Sequence, residues 1–350
     1  MEDNKTAAEE TKQVVVEIGN NKLLLNRSAV DTFMGCQRKY WVENHEGGIG
    51  FVRPGNIDTV LGKAMHAAFK IILTNPGRGV TDAIAAAQTE LQNGASCIPD
   101  QFQLAEAQYY IDVAVRAFVL TRAYRELRSN WQVRAAETEV SIENFSDHTS
   151  FLSTPDAVLY NGNSLTCALS IKGMKTYDEL KERHYSTELQ ALTEPYTIYW
   201  AMQHSTEAWA QKLAEDVKKA GYKPSEAAYG NLFLAFVRGE QKVQATTKQL
   251  IRRSPFTTCY KSMKTGELRV RYDYVDEMGA NRRLGKDWAL CSVMDLFKPH
   301  EWIAWLQKND PQLIEAQFVL SSPYYVYAAQ LDNFHVEYAN LAEDIWNKVN

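Results

Sequence analysis

"TSFLSTPDAVLYNGNSLTCALSIKG" runs from Thr149 to Gly173 and decides the fold. Two short apolar runs flank Asn161-Gly162-Asn163, a composition that suits the left-handed backbone of a tight hairpin turn. The runs therefore read as two antiparallel strands. Asp156 opens the first, just after Pro155, and Lys172 closes the second. Side chains 170 and 172 share one strand face, so Lys172 can point at Asp156 across the hairpin.

The pattern extends outward on both sides. Upstream, "WQVRAAETEVSIENF" (131–145) alternates as a third strand does. Before it, Leu61, Met65, Ala68 and Ile72 form the apolar stripe of a helix over about 57–73, ended by Pro76-Gly77. A short helix capped by Thr81 stops near Gly94, and a long helix covers about 102–128 with Ile111, Ala114, Val115 and Phe118 inward. Ser28 caps an earlier helix carrying Val30, Phe33, Met34 and Tyr40, and "VVVEIGNNKLLLN" (14–26) reads as a hairpin about Gly19-Asn20-Asn21. Downstream, a helix begins near Ser186 and is interrupted or kinked at Pro195. A second helix covers about 207–220, and "YGNLFLAFVRG" (229–239) is a strand. Further β structure is expected over 254–262 and 267–275, with closing helices over 299–309 and 331–349.

The order is helix, three strands, helix, strand: an α/β fold with a central mixed sheet and extra helices at both ends. Residues 1–13, acidic and polar, are expected to be a disordered tail, neither a signal nor a transit peptide. Residues 14–350 are expected to form one domain, with its core at about 57–240 and a β and helical extension over 241–350.

Composition narrows the function. Hydrophobic residues make up 45% and charged residues 23%, with no run of 18 apolar residues, so no membrane helix is expected. The five cysteines form no CxxC pair, which points to free thiols in a reducing, cytoplasmic setting and away from zinc. "GNIDTVLGKA" has Ala64 where a P-loop needs Ser or Thr, and GxGxxG, GxSxG and HExxH are absent. Net charge is −5, yet residues 238–286 hold twelve Lys/Arg against five Asp/Glu, a local +7 that leaves −12 elsewhere. Such a segment reads as a phosphate-binding face, with Arg252, Arg253, Lys261, Lys264, Arg269 and Arg271 as DNA contacts. Phe256, Tyr260, Tyr272 and Tyr274 are available for base stacking, although core packing suits most of them better. The plainer reading is a solvated hairpin edge.

Taken together, "PDAV" (155–158), "SIKG" (170–173) and the element order resemble the PD-(D/E)XK nuclease superfamily. The nearer likeness is to its RecB-like exonuclease branch. Gly62 and His66 in "GKAMHAAF" match that branch's G-x-x-x-H helix. Ser28, Cys36, Arg38, Lys39 and Tyr40 match an earlier element, and Gln190 matches the glutamine after the lysine strand. The likeness covers about residues 28–237.

The resemblance implies a Mg²⁺- or Mn²⁺-dependent deoxyribonuclease, an exonuclease in DNA processing or recombination, in a bacterial or phage-infected cell. A strand-annealing protein is the implied partner. Phosphodiester cleavage needs a hard cation on oxygen ligands. Asp156 and the Ile171 carbonyl are the expected oxygens, and a nitrogen from His66 makes manganese as acceptable as magnesium. Lys172 would orient the attacking water or stabilise developing charge. The plain readings are a turn-flanking acid, a strand-end lysine and a helix histidine bonded to backbone.

One position departs from the family. Ser170 stands where an acid is expected. A minority of the superfamily's restriction enzymes carry SxK with the acid moved to the next helix, which makes Glu188 the leading replacement. Glu194 and Glu179 stand behind it, and Ser170 itself could hold a metal-bound water. Glu139 is the expected supplementary acid in the first strand. No iron–sulfur cluster is expected, because only Cys259 and Cys291 follow in the last third, and Cys36 is expected in the core. Ser170 also motivates the competing expectation of a nuclease-like subunit that binds DNA or an assembly without cutting.

Overall fold

A computed structural model describes residues 23–41, 57–75, 79–98, 100–174, 190–237, 254–271, 273–275 and 281–349. Its elements begin with Leu23–Asn26 (β1), Arg27–Gly35 (α1), Gln37–Tyr40 (α2), Ile57–Thr74 (α3), Val80–Asn93 (α4), Gln101–Phe118 (α5) and Arg122–Asn130 (α6). There follow Gln132–Ala136 (β2), Val140–Ile142 (β3), Thr149–Ser153 (β4), Ala157–Tyr160 (β5), Leu165–Met174 (β6), Gln190–His204 (α7), Ala208–Lys219 (α8) and Ala228–Val237 (β7). The C-terminal third adds Thr258–Ser262 (β8), Leu268–Arg269 (β9), Asp273–Val275 (β10), Asn281–Arg283 (β11), Trp288–Ser292 (β12), Pro299–Asn309 (α9) and Pro311–Ala316 (α10). Phe318–Leu320 (β13), Tyr324–Tyr327 (β14) and Ala328–Val349 (α11) close it.

The main sheet has the order β13-β7-β6-β5-β2, with β14 pairing the other half of β7. It is mixed: β6 runs parallel to β7 and antiparallel to β5. Strands β6 and β7 are central and covered on both faces, which is why their sequences are almost continuously apolar. Alternation sorts their side chains between two cores. Leu165, Cys167, Leu169 and Ile171 of β6 join Leu232, Leu234 and Phe236 of β7 in the core under α3 and α5. Phe69 and Phe118 meet edge to face there, with ring centroids 4.7 Å apart. On the other face, Ala168, Val158 and Tyr229 pack with residues of α7, α8 and α11. The architecture is three layers, helices on both sides of a mixed α/β sheet.

The hairpin forms as its composition requires. Gly162 has φ 84°, and the Asn161 side chain accepts from the N–H groups of Asn163 and Leu165. Other expectations need correction. The long helix over 102–128 is two: α5 ends at Phe118, and Thr121 starts α6 by accepting from the Tyr124 N–H. Asn26 rather than Ser28 caps α1, and α4 starts at Val80 after Gly79, ahead of Thr81. Leu23–Asn26 pairs in parallel with β4, and the rest of the expected 14–26 hairpin lies outside the described residues, as do residues 1–13.

The strand expected over 131–145 splits into β2 and β3, which belong to different sheets, and β4 is an additional strand beside β3. The break falls at Glu137, whose φ of 51° takes the chain out of the extended region. Pro195 lies within α7, which continues past it to His204. Proline there removes the backbone donor that would otherwise bond the Ala191 carbonyl, and the helix holds through its remaining bonds. Among the described residues no helix is long and apolar enough to cross a membrane.

Candidate metal centre

The hairpin ends where the chain enters β5 and leaves β6, and three elements meet there. Asp156 immediately precedes β5, and its Oδ2 accepts the Ile171 N–H at 2.5 Å, tying the acid to the lysine strand. His66 comes from the middle of α3, on the side away from that helix's buried stripe. Glu137 follows β2, and its own N–H donates to the Asp156 carbonyl at 3.1 Å. The Nδ1 of His66 lies 3.3 Å from Asp156 Oδ1 and 3.5 Å from Glu137 Oε1.

One nitrogen and two carboxylate oxygens thus lie within 4.8 Å of one another. A hard divalent cation with bonds of about 2.0–2.3 Å spans ligand atoms up to roughly that separation, so this donor set fits Mg²⁺ or Mn²⁺. The side chains are accessible, at 29% for His66, 30% for Glu137 and 15% for Asp156, so water and an ion can enter. Burial alone would lower the His66 pKa. The Asp156 and Glu137 carboxylates overcome it and lift the imidazole to about 10, the response of a cluster that gathers positive charge.

Glu137 adopts a left-handed backbone with a side chain that rarely tolerates it. Such outliers persist where the surroundings impose them, and they concentrate at functional positions. Glu139, the acid expected in this region, lies past the end of β2 and is exposed, and it takes no part in the cluster. The alternating pattern continues straight through Glu137, so periodicity gave no sign that the chain turns there.

Behind the cluster is a buried polar network on the α7 side of the sheet. Ser170 is fully buried, and its Oγ donates to Glu194 Oε2 at 2.6 Å and lies 3.1 Å from Asn231 Oδ1. Gln190, at the start of α7, bridges two groups. Its Nε2 donates to Glu194 Oε1, and its Oε1 accepts from Lys172 Nζ. Asn231, fully buried in β7, donates to the Gln190 carbonyl at 3.3 Å and to Glu194 Oε2 at 3.5 Å. Burial and the negative charge of Asp156 push the Glu194 carboxyl up to about 7, against the pull of Ser170, Gln190 and Lys172.

Asp156, His66, Ile171, Lys172, Ser170 and Gln190 therefore converge on one end of the sheet. Glu188 and Glu179 lie outside the described residues. Glu194 is the acid that meets Ser170. Spacing offered it only a secondary place, six residues behind Glu188 at the expected start of the helix near Ser186. Asn231 was missed altogether. Its one signal is a lone amide within the apolar run "YGNLFLAFV".

Arg252 and Arg253 lie outside the described residues. Of the other proposed DNA contacts, Lys264 pairs with Asp287 at 2.6 Å and Arg271 holds Asp310 through two hydrogen bonds. Arg269 pairs with Glu267 and lies over the Trp288 ring, and Lys261 sits half-buried in β8. Tyr260 and Phe256 are buried, as core packing requires. Cys36 is exposed at the break between α1 and α2 rather than in the core, while Cys167 and Cys259 are buried free thiols.

No family model and no curated protein matches the chain.

Proposed function

We propose that the chain is a metal-dependent nuclease with a restriction-endonuclease-like core, hydrolysing DNA phosphodiesters as an exonuclease. One observation carries the reading. His66, Glu137 and Asp156 form a cation-sized cluster at the sheet end that also presents Lys172. Mg²⁺ or Mn²⁺ held there supplies charge neutralisation at the scissile phosphate and a water of lowered pKa.

The chain's own residues do the rest. Asp156 is fixed by the Ile171 amide, and the Ile171 carbonyl shares that strand edge as a further oxygen ligand. Lys172, steered by Gln190, places its ammonium where negative charge develops on the phosphate. Glu137 supplies the carboxylate that position 170 lacks, and Glu194, held by Ser170, steers Lys172 from α7 through Gln190. On α3, Lys63 and Lys70 are exposed and fall at i−3 and i+4 from His66, on the same helical side, suited to phosphates flanking the cut. A strand-annealing protein is the proposed partner in recombination.

The test is incubation of the purified protein with linear DNA and Mg²⁺ or Mn²⁺. Cleavage from the ends that disappears in Lys172→Ala supports the reading. DNA binding without cleavage in either protein would replace it with a non-cutting subunit.

A further inference from the structure

Asn231 occupies a position where β7 otherwise buries apolar residues, flanked two residues away on each side by Tyr229 and Phe233. Burying an amide there costs free energy unless it is hydrogen-bonded. Its contacts are to Ser170 Oγ, the Gln190 carbonyl and Glu194 Oε2. None is to Lys172, yet all three lead to it.

The direction of the chain follows from donor chemistry. Ionised Glu194 only accepts, so the Gln190 NH₂ group must face it. The other end of that amide, Oε1, is then turned toward Lys172 and accepts from its ammonium. Without an acceptor at 194 the amide is free to rotate and present N–H groups to a cation. Glu194 in turn is pinned on its second oxygen by Ser170 and Asn231. In the parallel ladder Asn231 lies opposite Ala168, two residues before Ser170, so its reach to the hydroxyl is diagonal and fixed by register.

We infer that Asn231 is a positioning residue for Lys172, acting through Glu194 and Gln190 to set where the ammonium points. The role of Lys172 in cleavage rests on the nuclease reading above. The hydrogen-bond chain does not.

The experiment uses the full chain and three variants: Asn231→Ala, Asn231→Asp, and Asn231→Asp combined with Glu194→Gln. The double variant exchanges acid and amide across one contact. The first readout needs neither metal nor DNA: the rate at which the Lys172 ε-amine is acetylated between pH 7 and 10, followed by mass spectrometry. The others are Mn²⁺ affinity and the kcat and KM for linear DNA.

Asn231→Ala is expected to change Lys172 acetylation by about threefold or more, since its hydrogen-bonded surroundings are altered. A displaced ammonium lowers kcat by about 10- to 100-fold, with KM and Mn²⁺ affinity held within about threefold. Asn231→Asp alone sets two carboxyls against each other and behaves no better. The double variant recovers both acetylation rate and kcat to within about threefold of wild type. Wild-type acetylation and kcat in a folded Asn231→Ala protein overturn the inference, as does a double variant no better than Asn231→Asp. If Asn231→Ala does not fold, Asn231→Thr, suited to a central strand, reads the same quantities. If the wild type does not cut DNA, the nuclease reading fails while the acetylation arm still decides the role of Asn231.

Discussion

The two halves of the site are built on opposite terms. The cluster of His66, Glu137 and Asp156 is open to water, and the imidazole sits between the two carboxylates at 3.3 and 3.5 Å. The network of Ser170, Gln190, Glu194 and Asn231 is sealed between the sheet and α7, each member at most 6% exposed. An open cluster can exchange ions and substrate. A sealed network can hold one geometry, because inside the protein each lost hydrogen bond leaves an unsatisfied group. Ligand capture belongs to the first, and aim belongs to the second.

Breaking the link between the halves should produce the largest effect. Lys172→Ala removes the group that the network aims at the cluster. A fall of about 100- to 1,000-fold in kcat on linear DNA is expected, typical of losing one electrostatic contact to a transition state. Mn²⁺ binding, measured by calorimetry, should be nearly unchanged, since Lys172 is not in the ligand cluster. A comparable loss of Mn²⁺ binding would show that the halves are not separable.

The sealed half can be probed through pH. The Glu194 carboxyl has a folded pKa of about 7 against 4.5 when unperturbed. The folded state therefore keeps a proton that the unfolded chain releases. Its contribution to stability must fall as pH rises from about 4.5 to 7, and level off above. The shift corresponds to roughly 3 kcal/mol in the metal-free protein, an upper figure. Urea denaturation at pH 5 and pH 8 should show a loss that is smaller in Glu194→Gln by about that amount, the remainder coming from His66, whose raised pKa also costs stability as pH climbs above 6.5.

In the open half, Glu137 sets function against backbone preference. Glu137→Ala and Glu137→Gly both delete the carboxylate and should weaken Mn²⁺ binding alike. They differ only in how they accept a φ of 51°. Glycine should leave the metal-free protein more stable than alanine by about 1 kcal/mol in thermal or urea melts. Equal stability would mean the loop relaxes once the acid is gone.

The smallest effect lies at the rim. Replacing Lys63 and Lys70 together with alanine should reduce the slope of log affinity for DNA against log salt by about 1–2. Metal affinity should not move.

The sequence was most informative where geometry is local. Asn161-Gly162-Asn163 fixes a turn by its own backbone preferences, and that turn alone brings Asp156 beside β6. His66 was legible through the G-x-x-x-H resemblance it carries with Gly62, on a helix whose apolar stripe is strong. Glu194 and Asn231 were harder to read, because their roles depend on which strand lies beside β6. The β6–β7 pairing joins residues more than 60 positions apart, and no local pattern reports it. Glu137 was hidden for the opposite reason: a single left-handed residue interrupts a strand without disturbing its alternation. The basic segment could be counted but not allocated, since Lys264, Arg269 and Arg271 find acids in the folded chain.

The parallel register of β6 with β7 also bears on how the site is made. All three cluster residues are synthesised by position 156, yet Asn231 arrives 75 residues later. Until β7 docks, β6 has a bare edge and Ser170 lacks its contact with Asn231, a state that invites wrong pairing. Parallel pairing across so long a connection is a slow, non-local step in folding. Refolding followed by the appearance of the wild-type Lys172 acetylation rate should therefore lag behind refolding followed by helix content, and the lag is the time that β7 takes to find its place.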